Sequence, residues 1–513
     1  MKEKVPTLVL GLDAVEIEVI DRLIASGKMP RLEALKKGGK SGRLVNQPPY
    51  FLSLVWSSFF TSSHLGDHGW YFNKLWRSEK QRIEYADSKW LSQRPFWEDL
   101  DDELRVAILD LPYVSGAPKK PNQTIIGGWQ CHDDFGRLEK PAGEWGRLER
   151  ILGKARMEPE VFGPQSVDTL LALRKESLES LEQFTDLAIE YVKAGQHDLI
   201  MAVFGSLHRA THYLWDLTQV DTAGAKESEL KLIEGARDEL FVAMDAALGR
   251  ILDSMPEPAR VIAFALHGMG PNLGWYEYLP RMVECVHNGG QTTQPAKKGL
   301  VFRLKKALPW TWVRQVTRRI PHAWNQALVP VWSRRMYDWS KTRYFSLPMD
   351  YNGYVRLNVK GRELEGALDP AEIDAEVARL EEGLKSFRDI ETGRKIVKGV
   401  VRVESLVGEN APKRNVLPDV IVLWEADFPT AESCGVRSDL FGEIRWPKGQ
   451  KLVSGRSGNH TPRGWFVASG PGIGNGTVED AIDPIDLAPT LLDWLGAPRN
   501  EKLKGNSVAD QLR

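Results

Sequence analysis

Cysteine is scarce in this chain: its 513 residues include only Cys131, Cys285 and Cys434, each standing alone. No Cys-x-x-Cys pair is present, so neither a zinc ribbon nor a disulfide framework is supported, and a reducing, cytoplasmic compartment is expected. Charge of one sign is not in excess either. The 68 Lys and Arg meet 69 Asp and Glu, which gives no general argument for nucleic-acid binding. Long apolar runs are absent: nothing approaches the roughly 20 residues needed to cross a bilayer. Asp13, Glu16 and Glu18 interrupt the first apolar stretch, so no signal peptide is expected there. Gly470-Pro-Gly-Ile-Gly-Asn-Gly476 lacks the spacing of a dinucleotide loop and reads as a turn.

What is present is a hydrophobic fraction of 42%, enough for a large core. Thr7–Leu12, Leu199–Phe204 and Val261–Leu266 are short continuous apolar runs, as in strands covered on both faces. Arg105–Leu109, Asp419–Trp424 and Gly464–Ala468 add further strand signals. Helix signals lie between them, at about 15–25, from Pro30, and along the amphipathic stretches 166–194 and 227–255. A short helix over Asp486–Gly496 ends on glycine. This order predicts a three-layer α/β/α fold with a mostly parallel central sheet.

The expected organisation is an N-terminal core part over 1–289, an insertion over 290–343, and a segment over 344–513 that completes the core. The insertion is basic and rich in tryptophan, with Lys305-Lys306, Arg318-Arg319 and Arg334-Arg335 among Trp310, Trp312, Trp324, Trp332 and Trp339. It reads as helical packing on the main body, as a cap over an anionic substrate, or as a peripheral patch for acidic lipid headgroups.

Three of the apolar runs end on chemistry-bearing residues. Thr7–Leu12 delivers Asp13, Leu199–Phe204 leads to His208 and His212, and Val261–Leu266 ends on His267 in a His-Gly-Met-Gly turn. Ligands in open α/β sheets gather beyond the carboxyl ends of strands. On a helix, the four-residue spacing of His208 and His212 puts both imidazoles on one face. A short-spaced pair completed by a distant ligand is a common zinc arrangement. His460, in the small, polar loop Ser457-Gly-Asn-His-Thr-Pro462, is the distant candidate. His68 reads as a loop stabiliser, and His132 as a residue that could contact substrate. Hydroxyl nucleophiles are offered by Ser53, Ser57, Ser58 and Thr61, and the chemistry alone does not choose among them.

Together these pieces resemble the alkaline phosphatase superfamily, and within it the type I phosphodiesterase and nucleotide pyrophosphatase group. Gly11-Leu-Asp-Ala14 resembles the first metal-ligand strand, and Trp56-Ser-Ser-Phe-Phe-Thr61 with His68-Gly69 the nucleophile helix and its following loop. His208-Arg-Ala-Thr-His212 stands where the family has Asp, three residues, then His, and Leu266-His267-Gly268 where it has Asp-His-Gly. Gly458-Asn-His460 resembles the last ligand loop, and Ile485–Thr490 the closing helix. The resemblance implies a metal-dependent hydrolase or transferase acting on small-molecule phosphate or sulfate esters. It implies divalent metal, zinc foremost, with one ion on residue 208, His212 and His460. The other would lie on Asp13, the nucleophile, residue 266 and His267.

Three departures stand out. Position 208 is His rather than Asp, which makes a three-histidine site. Position 266 is Leu, which ligates nothing and leaves the second site weak. The family's nucleophile position falls on Leu52, and a one-residue shift brings in Ser53. The alternative implied by Leu52 and Leu266 is a catalytically silent relative that binds an anionic ligand or a protein.

Overall fold

The computed structural model describes residues 5–53, 55–86, 90–91, 93–114, 120–130, 136–156, 163–290, 329–331, 333–349 and 351–513. Most of the basic, tryptophan-rich insertion lies outside the described residues, as does His132. Within its described end, Trp339 is buried and packs against Trp76 and Phe345, with ring centroids 5.3 and 5.0 Å away. No helix among the described residues is long and apolar enough to cross a membrane.

Among the described residues, nine strands form the main sheet, in the order Gly476–Thr477, Lys40–Leu44, Gly464–Ser469, Arg260–Ala265, Thr7–Leu12, Leu199–Phe204, Val106–Leu109, Gln123–Gly127 and Leu138–Lys140. The five from Arg260–Ala265 to Gln123–Gly127 are parallel. Alternate side chains leave a strand on opposite faces. Leu8, Leu10 and Leu12 therefore pack under the helices Ile17–Ala25, Val167–Lys193 and Glu227–Leu252. Val9 joins the opposite core, with Phe59 of helix Val55–Thr61 and Leu491 of helix Leu487–Leu495. This is the three-layer fold expected from the sequence.

Local chemistry places the helix ends. Ser166 caps Val167–Lys193 by accepting from the Thr169 N–H. Pro30 opens the next-but-one helix after the first strand, Pro30–Gly38. Gly496 closes Leu487–Leu495 in the left-handed region, at φ 66°.

A smaller body stands beside this core. Tyr344–Leu347, Gly353–Leu357, Val420–Trp424 and Val397–Arg402 form an antiparallel sheet, covered by helices Leu279–His287 and Ile373–Lys385. Val420–Trp424, which reads in sequence with the resumed α/β pattern, pairs here and not in the main sheet. Periodicity marks a strand but not its partner. Inside this body the fully buried Arg356 and Glu363 side chains meet at 2.8 Å.

Two segments differ from their sequence reading. The His267–Gly270 turn and the loop around His460 are both strands. Gly268–Pro271 and Gly458–Thr461 pair antiparallel in a two-stranded ribbon, with Met269 opposite His460. The residues are small and non-alternating, and their ladder partner is far away in sequence, so no local signal reveals the pairing.

Candidate metal centre

Thr7–Leu12 lies between Leu199–Phe204 and Arg260–Ala265, with Leu12 level with Phe204 and Gly11 level with Phe264. Their carboxyl ends therefore emerge side by side. Asp13 follows the first strand. The second runs into helix Ser206–Tyr213, every residue of which is buried and which carries His208 and His212 on one face. The third ends at His267. The ribbon then carries His460 over from a segment about 190 residues further along.

The three expected ligands converge. His208 Nε2 lies 2.8 Å from His460 Nε2 and 3.1 Å from His212 Nε2, and all three residues are buried. The outer ring nitrogens set the tautomers. His212 Nδ1 is 3.0 Å from the Gly458 carbonyl oxygen, and His208 Nδ1 is 2.8 Å from Asp13 Oδ2. A carbonyl oxygen only accepts, so His212 Nδ1 carries the hydrogen and its Nε2 turns a lone pair inward; the Asp13 carboxylate 2.8 Å from His208 Nδ1 favours the same tautomer there. Lone pairs facing each other at this range repel unless positive charge lies between them. Donors about 2.05 Å from a tetrahedral zinc stand about 3.3 Å apart, close to the spacing here. The residues present fit a divalent ion. Burial, followed by the neighbouring imidazoles of His267, His212 and His208, holds His460 well below the usual histidine range, which keeps it a neutral donor.

Asp13 sits at the join of the site. Burial opposes its ionisation, but the adjoining His208, His267 and Trp56 outweigh that and hold its carboxyl below the usual range. Its Oδ1 accepts the Trp56 indole N–H at 2.9 Å and lies 3.6 Å from His267 Nε2. His267 Nδ1 is 3.3 Å from the Gly268 carbonyl. Among the described residues, the one cluster of three metal-type donors is His208, His212 and His460; Asp13 and His267 lie beside it.

The four hydroxyls separate by surroundings. Thr61 donates to the Ser57 carbonyl at 2.6 Å, and both residues are buried. Ser58 Oγ is 3.0 Å from His68 Nε2, which at first resembles a nucleophile and its base. The Trp70 N–H, however, donates to His68 Nδ1 at 3.0 Å, so Nε2 carries the hydrogen and Ser58 accepts it. Burial, with His64 adding to it, pushes His68 down to about 3, and the ring stays neutral. His68 is thus the loop stabiliser expected. Ser53 is half-buried just before helix Val55–Thr61, and Trp56, three residues on, reaches Asp13; Leu52 is buried.

A family model for type I phosphodiesterase / nucleotide pyrophosphatase matches residues 7–434. The chain belongs to that family. Phosphate-ester hydrolysis is the function this membership carries, and the family's chemistry depends on metal. No curated protein matches the chain. Among solved structures, phosphonoacetate hydrolase from Sinorhizobium meliloti, bound to phosphonoformate, has 14% identity and a TM-score of 0.51, with 96% of each chain covered. A four-substitution variant of the alkaline phosphatase PafA has 13% identity and a TM-score of 0.54, with 100% of each chain covered. These likenesses carry the fold.

In this phosphodiesterase-family site, three supporting residues escape sequence reasoning. Trp56 fits under the first strand because Gly11 has no side chain: a Cβ there would lie 2.5 Å from the indole. Glu16 is 1% exposed, and it accepts from Thr461 Oγ1 and Arg463 Nε at 2.8 Å each, tying the Asp13 loop to the His460 ribbon. Gly268 leaves room for that carboxylate, since a Cβ would meet it at 2.3 Å. The glycines were the available signal: each stands where another backbone or a large side chain comes close.

Proposed function

We propose that this chain hydrolyses, or transfers the phosphoryl group of, a small phosphate ester at a zinc-class divalent ion held by His208, His212 and His460. The observation that carries this is the inward convergence of three Nε2 atoms, with His208 Nε2 2.8 Å from one partner and 3.1 Å from the other. A divalent ion held there would supply Lewis-acid chemistry toward a phosphoryl oxygen. Three neutral imidazoles bring no negative charge, so such a centre stays cationic and suits an anionic ester.

The chain's own residues complete the reading. Ser53 supplies the hydroxyl oxygen that bonds to phosphorus as the ester oxygen leaves with a proton, and water or an acceptor alcohol then breaks the Ser53–phosphorus bond and returns a proton to Ser53. Asp13 and His267 border the centre on the side of helix Val55–Thr61, where Trp56 fixes the carboxylate. The burial of this whole group excludes bulk water and strengthens each charge interaction. The fold shared with a hydrolase crystallised with phosphonoformate supports a small phosphorus-bearing ligand. Nothing in the site favours the catalytically silent alternative.

The test uses the purified full chain, stripped with chelator and reloaded with zinc, manganese or magnesium. Substrates are p-nitrophenyl phosphate, bis-p-nitrophenyl phosphate and p-nitrophenyl sulfate. Metal-dependent release from a phosphate ester, falling by about 100-fold or more in His212→Ala, is the expected result. Turnover of no ester with any ion, or turnover indifferent to His212→Ala, overturns the reading.

A further inference from the structure

The ring of His208 faces two ways, with Nε2 in the histidine cluster and Nδ1 2.8 Å from Asp13 Oδ2. A carboxylate on the outer nitrogen of a ligating imidazole fixes its tautomer and orientation and raises its basicity. Asp13 stands in that relation to His208. Its other oxygen already accepts the Trp56 indole N–H at 2.9 Å. One oxygen of this buried carboxylate thus holds the Trp56 N–H, and the other lies beside the His208 ring nitrogen.

The surroundings leave little for a second ion. Leu266 has its side chain in the apolar core with Val9, Phe264 and Phe466, and it is 1% exposed. Among the described residues, His267 Nε2 is the other ring nitrogen near Asp13, at 3.6 Å. Even with the Ser53 hydroxyl added, the described residues offer a second divalent cation one imidazole and a carboxylate oxygen already holding an indole N–H, too few donors for a stable site. Histidine at position 208 also changes the reach of that position. An imidazole carries nitrogens on both sides, so it meets the histidine cluster with one and Asp13 with the other.

We propose that the centre is mononuclear and that Asp13 is a positioning residue, acting through His208 rather than binding metal itself. The inference rests on the metal-centre reading above and concerns which residues hold the ion and how many ions there are. Glu16 and Trp56 then serve the same end from opposite sides, one fixing the His460 ribbon and the other fixing Asp13.

The test is cobalt and zinc titration of the chelator-stripped full chain, read by elemental analysis and by the visible spectrum of bound cobalt. The wild type is expected to take up one ion per chain. Asp13→Asn keeps that one ion and the four-coordinate cobalt spectrum, and its affinity drops by about 10- to 100-fold. Because Asp13 acts through residue 208, Asp13→Asn in a His208→Asp background lowers affinity by less than about 3-fold further, a non-additivity that separate structural effects do not produce. Circular dichroism of each variant confirms folding, and the wild-type stoichiometry decides the point even where a variant fails to fold. Two ions per wild-type chain, one of them lost in Asp13→Asn, overturns the positioning role and leaves the metal centre standing. A wild type that binds no ion overturns both.

Discussion

The Gly458 carbonyl oxygen accepts from His212 Nδ1 at 3.0 Å, and the same residue's missing side chain is what lets the ribbon approach so closely. A Cβ on Gly458 would sit 2.2 Å from the Thr211 carbonyl oxygen and 3.1 Å from Trp215 Cβ. One residue therefore both admits the helix and orients its ligand. Gly458→Ala is expected to push the ribbon away, lowering stability by about 1–3 kcal/mol, as overpacking does. Because His460 rides on that ribbon, zinc affinity should fall by about 10-fold or more, in the range of other outer-shell losses. Denaturant unfolding and zinc competition titration check the two effects; unchanged zinc affinity removes the ribbon's proposed part in the centre.

Trp56 and Asp13 give a second prediction. Trp56→Phe keeps an aromatic ring under Gly11 but removes the N–H from Asp13 Oδ1. A buried acceptor that loses its donor costs about 1–3 kcal/mol. Urea unfolding of Trp56→Phe should show a loss of that size, and Trp56→Ala a larger one of about 3–5 kcal/mol from the cavity.

Ser53 and Ser58 are expected to behave oppositely. Ser58 accepts from a neutral His68, whose other nitrogen is occupied by the Trp70 N–H. Ser58→Ala should change kcat/KM for a phosphate ester by less than about 3-fold, whereas Ser53→Ala should lower it by about 100-fold or more. Equal activity of Ser53→Ala and wild type would eliminate the covalent route through this hydroxyl.

Asp483 carries a pH signature. It lines a cleft with Asn46, Phe51, Ser58, His68 and Tyr71, and burial pushes its carboxyl up to about 6, against 3.8 ordinarily. The folded state thus holds the Asp483 proton more tightly than the unfolded chain does. Its contribution to stability is fully present below pH 3.8 and is lost as pH rises through about 6. Asp483→Asn keeps an acceptor for the Ile485 N–H and carries no charge. It should raise the melting temperature relative to wild type at pH 8, with the gain shrinking as pH falls below about 6. A gain independent of pH would show that charge burial is not its source.

Much of the scaffold was legible in advance. The apolar runs at Thr7, Leu199 and Val261 announced strands buried on both faces, and all three stand side by side in the parallel part of the sheet. The i, i+4 spacing of His208 and His212 announced two imidazoles on one helical face, which is where they lie. The supporting residues were not legible in the same way. Glu16 looked like one more charge interrupting an apolar stretch, yet it is buried between Thr461 and Arg463. Trp56 looked like part of a hydrophobic helix, and its indole N–H is what reaches the site. The segments around His267 and His460 looked like turn and loop because glycine and small polar residues carry no periodicity.

The amino-acid order alone determined the buried strands at Thr7, Leu199 and Val261, the long amphipathic helices between them, and that Asp13, His208, His212 and His267 stand past strand ends, because side-chain periodicity and turn chemistry act over a few residues. It also determined family membership. The tertiary structure alone decided that the His460 strand pairs with the strand after His267, that Asp13 meets His208 on one side and Trp56 on the other, and that Val420–Trp424 belongs to a second sheet. Those relations join residues tens to hundreds of positions apart. They follow from backbone pairing and close packing, which no local pattern in the chain encodes.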